Sequence, residues 1–160
     1  MPQRILIIGG GVGGTIVANV LARVLHPHEA EVTLIAQTDK HVYMPNWLYI
    51  PFNDVDIDSE QLVRPEHSLL NKHVHLVKGL VKHINVPKKE VQVEYDIGQE
   101  TDLATAPIHE TILNYDYLVL APGARIAPED LSGLGEGEGN GKWNHFYSAD
   151  GAMQLRHALH

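Results

Sequence analysis

A chain of 160 residues with 44% hydrophobic and 20% charged side chains reads as one soluble, globular domain with enough apolar sequence for a single core. Its formal net charge of −8 argues against nucleic acid or an anionic membrane surface as main partner. With no cysteine there is no disulfide framework, thiolate metal site or thiol chemistry, and no apolar run approaches the ~18 residues of a membrane-crossing helix.

The first element is a short apolar run, Arg4 to Ile8, as expected of a strand buried on both faces in a parallel sheet. It runs into Gly9, Gly11 and Gly14, which fall on the G-x-G-x-x-G spacing. The first glycine permits a tight turn, the second lets main chain approach phosphates, and the third lets helix pack on strand. A pyrophosphate would rest on the free N–H groups of the helix start. From there Val12, Ile16, Val17, Val20, Leu21, Val24 and Leu25 recur at spacings of three and four, giving one apolar helix face that His26-Pro27 ends. A second strand, Glu31 to Ile35, follows. Strand, glycine turn, helix and strand fit the ~30 residues of a βαβ unit, which makes a dinucleotide site the expectation. Such folds usually end the second strand with an acid for a ribose hydroxyl. Here Ala36 and Gln37 stand in that place, and the nearest acid is Asp39. Gln37 could make a neutral contact, Asp39 could reach back, or the ribose could face water.

Thr38 to Phe52 is aromatic and proline-bearing, and Pro45 and Pro51 work against a helix through it. So apolar a loop must bury itself. It either packs against a flat ring system, or Tyr43, Trp47, Tyr49 and Phe52 form a satellite core beneath it. Asp54 to Asp58 alternates acids with apolars but lacks the glycine and the terminal Glu of an EF-hand, and it reads as a solvated turn. A helix is expected over Glu60 to Leu70, capped by Asp58 or Ser59, with Leu62, Val63, Leu69 and Leu70 inward. Val74 to Gly79 is a strand; His73 and His75 would share one of its faces, which reads as solvated rather than metal-binding. Leu80–Val86, Glu90–Tyr95 and a piece near Thr111–Leu113 alternate with period two around a turn at Pro87-Lys-Lys89, giving an antiparallel meander. Asp96 to Pro107 is a polar loop. Tyr117 to Ala121 is again a buried strand, and it ends in Pro122-Gly123. Ser132 to Gly141 is glycine-rich loop, and a final helix starts near Ser148 or Asp150.

This order, with a buried strand ending in Ala121-Pro-Gly123, resembles the flavin-binding half of the two-dinucleotide-domain flavoprotein oxidoreductases. Within that group Ile7 to Gly14, the loop His41 to Pro51, Leu62-Val-Arg-Pro65 with Leu69-Leu70, and Phe146 to Ala152 look most like sulfide:quinone oxidoreductases and the flavin subunit of sulfide dehydrogenases. Type II NADH dehydrogenases are close relatives. The resemblance implies an α/β, Rossmann-like FAD/NAD(P)-binding domain over residues 1–160, its parallel sheet flanked by helices and a meander inserted at about 80–113. It implies FAD as cofactor. Gly9, Gly11, Val12, Gly13 and Gly14 would hold the pyrophosphate, Ala36 and Gln37 would lie by the adenosine ribose, and Val81 would offer backbone to the adenine. Ala121, Pro122 and Gly123 would line the flavin side, and Pro45 would approach the isoalloxazine. The acceptor in the intact enzyme would be a quinone or cytochrome.

Three departures accompany it. Tyr147 stands where the sulfide-oxidising relatives carry a first cysteine. Pro122 replaces a common Thr, removing a hydroxyl and an N–H. The NADH-type and C-terminal segments of the family are not in this sequence, so a truncated chain with uncovered apolar surface and a tendency to self-associate is expected. The expected location is cytoplasmic, with membrane association a property of full-length relatives. No catalytic residue is assigned; Tyr147 and His41 are the candidates without a partner. The alternative from another class is a non-catalytic nucleotide-binding module.

Overall fold

The computed structural model describes residues 1–52, 62–96, 108–130, 132 and 143–159. In chain order the elements are β1 (Gln3–Ile8), α1 (Val12–Val24), β2 (Ala30–Ala36), β3 (Lys40–Val42), a 3-10 turn (Met44–Tyr49), β4 (Val63–Pro65), α2 (Glu66–Leu69) and β5 (Val74–Lys78). Then come β6 (Leu80–Asn85), β7 (Glu90–Asp96), β8 (Ile108–Asn114), β9 (Tyr117–Leu120), a second 3-10 turn (Pro128–Asp130) and α3 (Ala149–Leu159). They fall into two compact units, one of residues 1–41 and 65–123, the other of residues 42–64 and 124–160.

The first unit is built on a four-stranded sheet in the order β5-β2-β1-β9, every neighbouring pair parallel. Successive side chains of a strand point to opposite faces, and here both faces are covered. Ile5, Ile7, Val32 and Leu34 join Ala18 of α1 in one apolar cluster. Leu6 and Ile35 join Val91, Val93 and Tyr115 in another, where the antiparallel sheet β6-β7-β8 supplies the covering layer. Burial on both sides is why the β1 sequence shows no polar alternation. The α/β fold with its parallel sheet and small antiparallel meander is therefore as the sequence implies.

The helix face is not the one expected. Gly14, Thr15, Ala18 and Ala22 are the buried residues of α1, and Val17, Leu21 and Leu25 pack partly against the core. Val12, Ile16, Val20 and Val24 are 42–70% exposed. The reason is steric: small side chains let the helix axis approach the sheet, so the close face is chosen by size and the larger apolar residues are displaced outward.

The helix expected over Glu60 to Leu70 is also corrected. Val63 to Pro65 is strand β4, and only Glu66 to Leu69 is helical, with Pro65 as its extended N-cap. A proline at position 65 has no N–H to donate and pushes Arg64 out of the helical region. Leu62 is buried all the same, and Leu69 and Leu70 are half-buried. His73 precedes β5 instead of sharing its face with His75. In the meander β8 runs longer than expected, from Ile108 to Asn114, and the turn into β7 places Lys89 at φ 55°. The acidic stretch Asp54 to Asp58, residues 97–107 and most of the glycine-rich segment 132–141 lie outside the described residues.

In the second unit Ile50, Leu62 and Ala152 are buried together, with Trp47, Val63, Phe146 and Met153 packed around them. Trp47 thus joins a satellite core, while Tyr43, Tyr49 and Phe52 stay 50–65% exposed. Ser148 caps α3 as expected: its Oγ accepts the Gly151 N–H at 3.0 Å. No helix among the described residues is long and apolar enough to cross a membrane.

At the start of the sheet Arg4 is clamped to Asp116. The Asp116 carboxylate accepts the Arg4 backbone N–H at 2.7 Å and its guanidinium at 3.2 Å. These hydrogen bonds, the guanidinium's first, hold the carboxyl down at about 2. A depressed carboxyl pKa stabilises the fold above the unfolded-state value and loses that contribution as pH falls toward the folded one. Asp116→Asn should therefore lower the melting temperature slightly at pH 6. The gap from the parent chain should narrow through the window from about pH 4 to about pH 2 when thermal unfolding is followed by circular dichroism.

Candidate dinucleotide site

The carboxyl ends of β1 and β9 lie side by side, since Ile8 pairs with Leu120. From β1 the chain crosses through α1 to β2 on the opposite flank, so the sheet's winding reverses here, the place where open α/β sheets bind ligands. Gly9 turns sharply at φ +113°, donates its N–H to Ile35 O at 2.9 Å, and passes so close to β9 that a Cβ would land on the Ala121 carbonyl oxygen. Gly14 is pressed on Gly9 in turn: a Cβ there would strike Gly9 O. Gly11, the exposed N-cap of α1, meets nothing within 4 Å at its own Cβ position. Two glycines are thus fixed by close packing, and the one between them faces open space.

The first intrahelical bond runs from the Thr15 N–H to Gly11 O, 3.0 Å. The N–H groups of Val12, Gly13 and Gly14 precede it and have no partner within the helix. Gly11, Val12 and Gly13 are exposed, and the first turn carries no acid. Open donors at the positive end of a helix dipole, with no carboxylate in the turn itself, suit a diphosphate.

The second strand's end offers less. Ala36 is 4% exposed and lies under Gly10, whose Cβ would come within 2.5 Å of the alanine's own. Its carbonyl already accepts the Gly79 N–H at 2.9 Å. Gln37 is exposed at the strand end. Asp39 does not reach back: its carboxylate accepts the His67 N–H at 3.0 Å and pairs with His67 Nδ1 at 2.6 Å, holding the start of α2. Burial pushes Asp39 upward, but the hydrogen bonds from His67 and the charge of Lys78 outweigh it, so the carboxyl sits below its usual range. Val81 packs partly against the core from β6, an edge strand whose register slips between Val81 and His83. Beside the glycine turn, Ala121 donates its N–H to Ile8 O at 2.8 Å, Pro122 is exposed, and Gly123 adopts φ +77° with open space around it. Gly9, Gly11, Val12, Gly13, Gly14, Ala36, Gln37, Val81, Ala121, Pro122 and Gly123 all belong to the first unit.

Residues 3–158, nearly the whole chain, match the family model described as pyridine nucleotide-disulphide oxidoreductase. The chain belongs to this family. It is 27% identical over 150 residues to the mitochondrial sulfide:quinone oxidoreductase of Dictyostelium discoideum, an alignment that covers 92% of this chain and 29% of that protein. It is 33% identical over 133 residues to the type II NADH:quinone oxidoreductase of Staphylococcus saprophyticus, covering 82% of this chain and again 29% of the relative. Among solved structures it resembles the sulfide:quinone oxidoreductase of Aquifex aeolicus, with a TM-score of 0.67 at 19% identity over 98% of this chain and 31% of that one. That likeness is one of fold.

Pro45 and Tyr147 lie in the second unit. Pro45 opens the Met44–Tyr49 turn, where its missing N–H costs nothing. Tyr147 is 67% exposed and borders a cleft of about 780 Å³ with Met44, Ala124, Ile126 and His145. His41 has a partner after all. Its Nδ1 lies 2.7 Å from Oε2 of Glu66, a residue with no solvent exposure, and Glu66 Oε1 lies 2.6 Å from Thr15 Oγ1. Glu66 and Thr15 were not marked by the sequence. Glu66 read as an ordinary helix residue, and only the fold carries it under the glycine turn.

The close contacts predict a graded series. Gly9→Ala and Gly14→Ala should each cost about 1–3 kcal/mol, because the atoms they strike are backbone and cannot rotate away. Gly11→Ala should cost less than about 1 kcal/mol, the new methyl group facing open space. Urea denaturation of the three variants checks this order.

Proposed function

We propose that this chain is the FAD-binding portion of a flavin-dependent oxidoreductase, most similar to sulfide:quinone oxidoreductases, in which a reduced donor passes electrons through FAD to a quinone or cytochrome. The observation that carries the reading is the glycine turn. It is closed by backbone contact at Gly9 and Gly14 yet open at Gly11, and the N–H groups of Val12, Gly13 and Gly14 beside it precede the first intrahelical bond.

The residues suit the dinucleotide in different ways. Those N–H groups would take the pyrophosphate, and the exposed Gln37 would meet the adenosine ribose, since Ala36 is buried and has no side-chain acceptor. The edge backbone at Val81 would face the adenine. Ala121, Pro122 and Gly123 would line the flavin side, where the left-handed Gly123 leaves main chain exposed. The flavin, when bound, supplies the two-electron chemistry; the chain's part is to hold and orient it. On the donor the residues pull in opposite directions: a second strand that ends without an acid at Ala36 and Gln37 favours sulfide, whereas Tyr147, in the place of a cysteine, counts against it. The reading as type II NADH:quinone dehydrogenase is supported by the Staphylococcus relative, whose identity is the higher of the two.

The purified chain should bind FAD with a flavin absorption band and quenched flavin fluorescence, and Gly11→Ala should weaken that binding at least about tenfold while leaving the fold intact. Bleaching by sulfide, or by NADH, in anaerobic titrations of the longest form of the protein then identifies the donor. A well-folded chain that takes ADP or NAD and excludes FAD would instead be a non-catalytic nucleotide-binding module.

A further inference from the structure

Two short contacts meet at the buried Glu66 carboxylate: Oε1 to Thr15 Oγ1 at 2.6 Å and Oε2 to His41 Nδ1 at 2.7 Å. The Gly11 carbonyl, 2.9 Å from the same hydroxyl, already accepts the Thr15 N–H at 3.0 Å, which leaves the hydroxyl's one hydrogen for Oε1. His41 gives its Nδ1–H to Oε2, so each oxygen of a side chain with no solvent exposure has its own donor. Hydrogen bonds to a buried carboxylate are short and strong, and removing one donor is costly.

The carboxylate joins two segments that are distant in the chain. Thr15 closes the first turn of α1, and a Cβ on Gly10 would lie 3.6 Å from Glu66 Cδ, so the group sits directly behind the glycine turn. His41 belongs to the stretch that follows β2. Glu66 is fixed to that stretch a second time, since its own N–H goes to Asp39 O at 3.0 Å, and the next residue, His67, gives its N–H to the Asp39 carboxylate. One side chain thus ties the start of α1 to the chain just beyond Gln37. A turn rich in glycine has the most conformational freedom to lose. A bracket that orders it in the free protein spares the ligand that cost.

We propose that Glu66 and Thr15 are positioning residues for diphosphate recognition: the carboxylate holds Thr15, and through it the first turn of α1, so that the N–H groups of Val12, Gly13 and Gly14 are set before the ligand arrives. The inference rests on the reading of the glycine turn as a pyrophosphate site. Both side chains are buried, so they act through the main chain and not by touching the ligand.

Titration of ADP and of adenosine into the isotope-labelled chain, followed by amide shifts, separates the grip on phosphate from the grip on base and ribose. Thr15→Val keeps the shape and loses the hydroxyl; its ADP affinity should fall about tenfold while its adenosine affinity stays that of the parent. Thr15→Ser should restore ADP binding to within about twofold. Glu66→Gln keeps an oxygen for the Thr15 hydroxyl and should bind ADP at least as well as the parent. Thr15→Val made in the Glu66→Gln background strands no buried charge and should show the same phosphate-specific loss, which guards against misfolding of the single variant. Equal losses for ADP and adenosine, parent-like ADP affinity in both Thr15→Val forms, or a Thr15→Ser as weak as Thr15→Val would overturn the positioning role. A parent chain that binds neither ADP nor FAD would overturn the cradle reading itself.

Discussion

The first unit depends on a place where main chain touches main chain. Gly9 lies against the Ala121 carbonyl and Gly14 lies against Gly9, with no room for a side chain at either contact. Close approach lets β1 and β9 pair as parallel neighbours and brings α1 down on the sheet, with the helix's first N–H groups lacking a partner within the helix. The small buried face of α1, Gly14, Thr15, Ala18 and Ala22, is the same constraint continued along the helix. One cause therefore serves both packing and the proposed binding: a turn stripped of side chains packs main chain on main chain at Gly9 and Gly14 and leaves Gly11 facing open space.

What could be read from the sequence follows the strength of local signals. Ile5 to Ile7 and Val32 to Ile35 are apolar because both faces of the sheet are covered, and the glycine spacing falls where the strand order reverses. Period-two alternation marked the meander for the same reason in reverse, since only one of its faces is buried. The errors arose where size or a single backbone atom outweighed hydropathy. Val12, Ile16, Val20 and Val24 looked like a core face and are the exposed ridge of α1. Pro65 ended a helix that the leucines on either side of it suggested. Lys89 in the left-handed region could not be foreseen, because lysine carries no preference for it.

The functional site was legible to a similar degree. Its phosphate half is local in sequence, running from Gly9 to Gly14, and needs only a strand before it and a helix after it. The half proposed to meet a ribose was open in the sequence; in the structure Asp39 is committed to His67 and Ala36 is buried beneath Gly10. Glu66 and Thr15 were invisible for a topological reason: they are joined by a contact across 51 positions of chain. Membership of the pyridine nucleotide-disulphide oxidoreductase family agrees with the cradle, and the chain spans 29% of the length of the Dictyostelium and Staphylococcus relatives.

The most direct measurement of the central claim is an amide map of dinucleotide binding by heteronuclear NMR, titrating FAD or ADP into the labelled chain. The account places the largest shifts at the N–H groups of Gly11, Val12, Gly13 and Gly14, with smaller ones at Gln37 and Gly123. Shifts centred elsewhere, with those four amides unmoved at saturation, would contradict it.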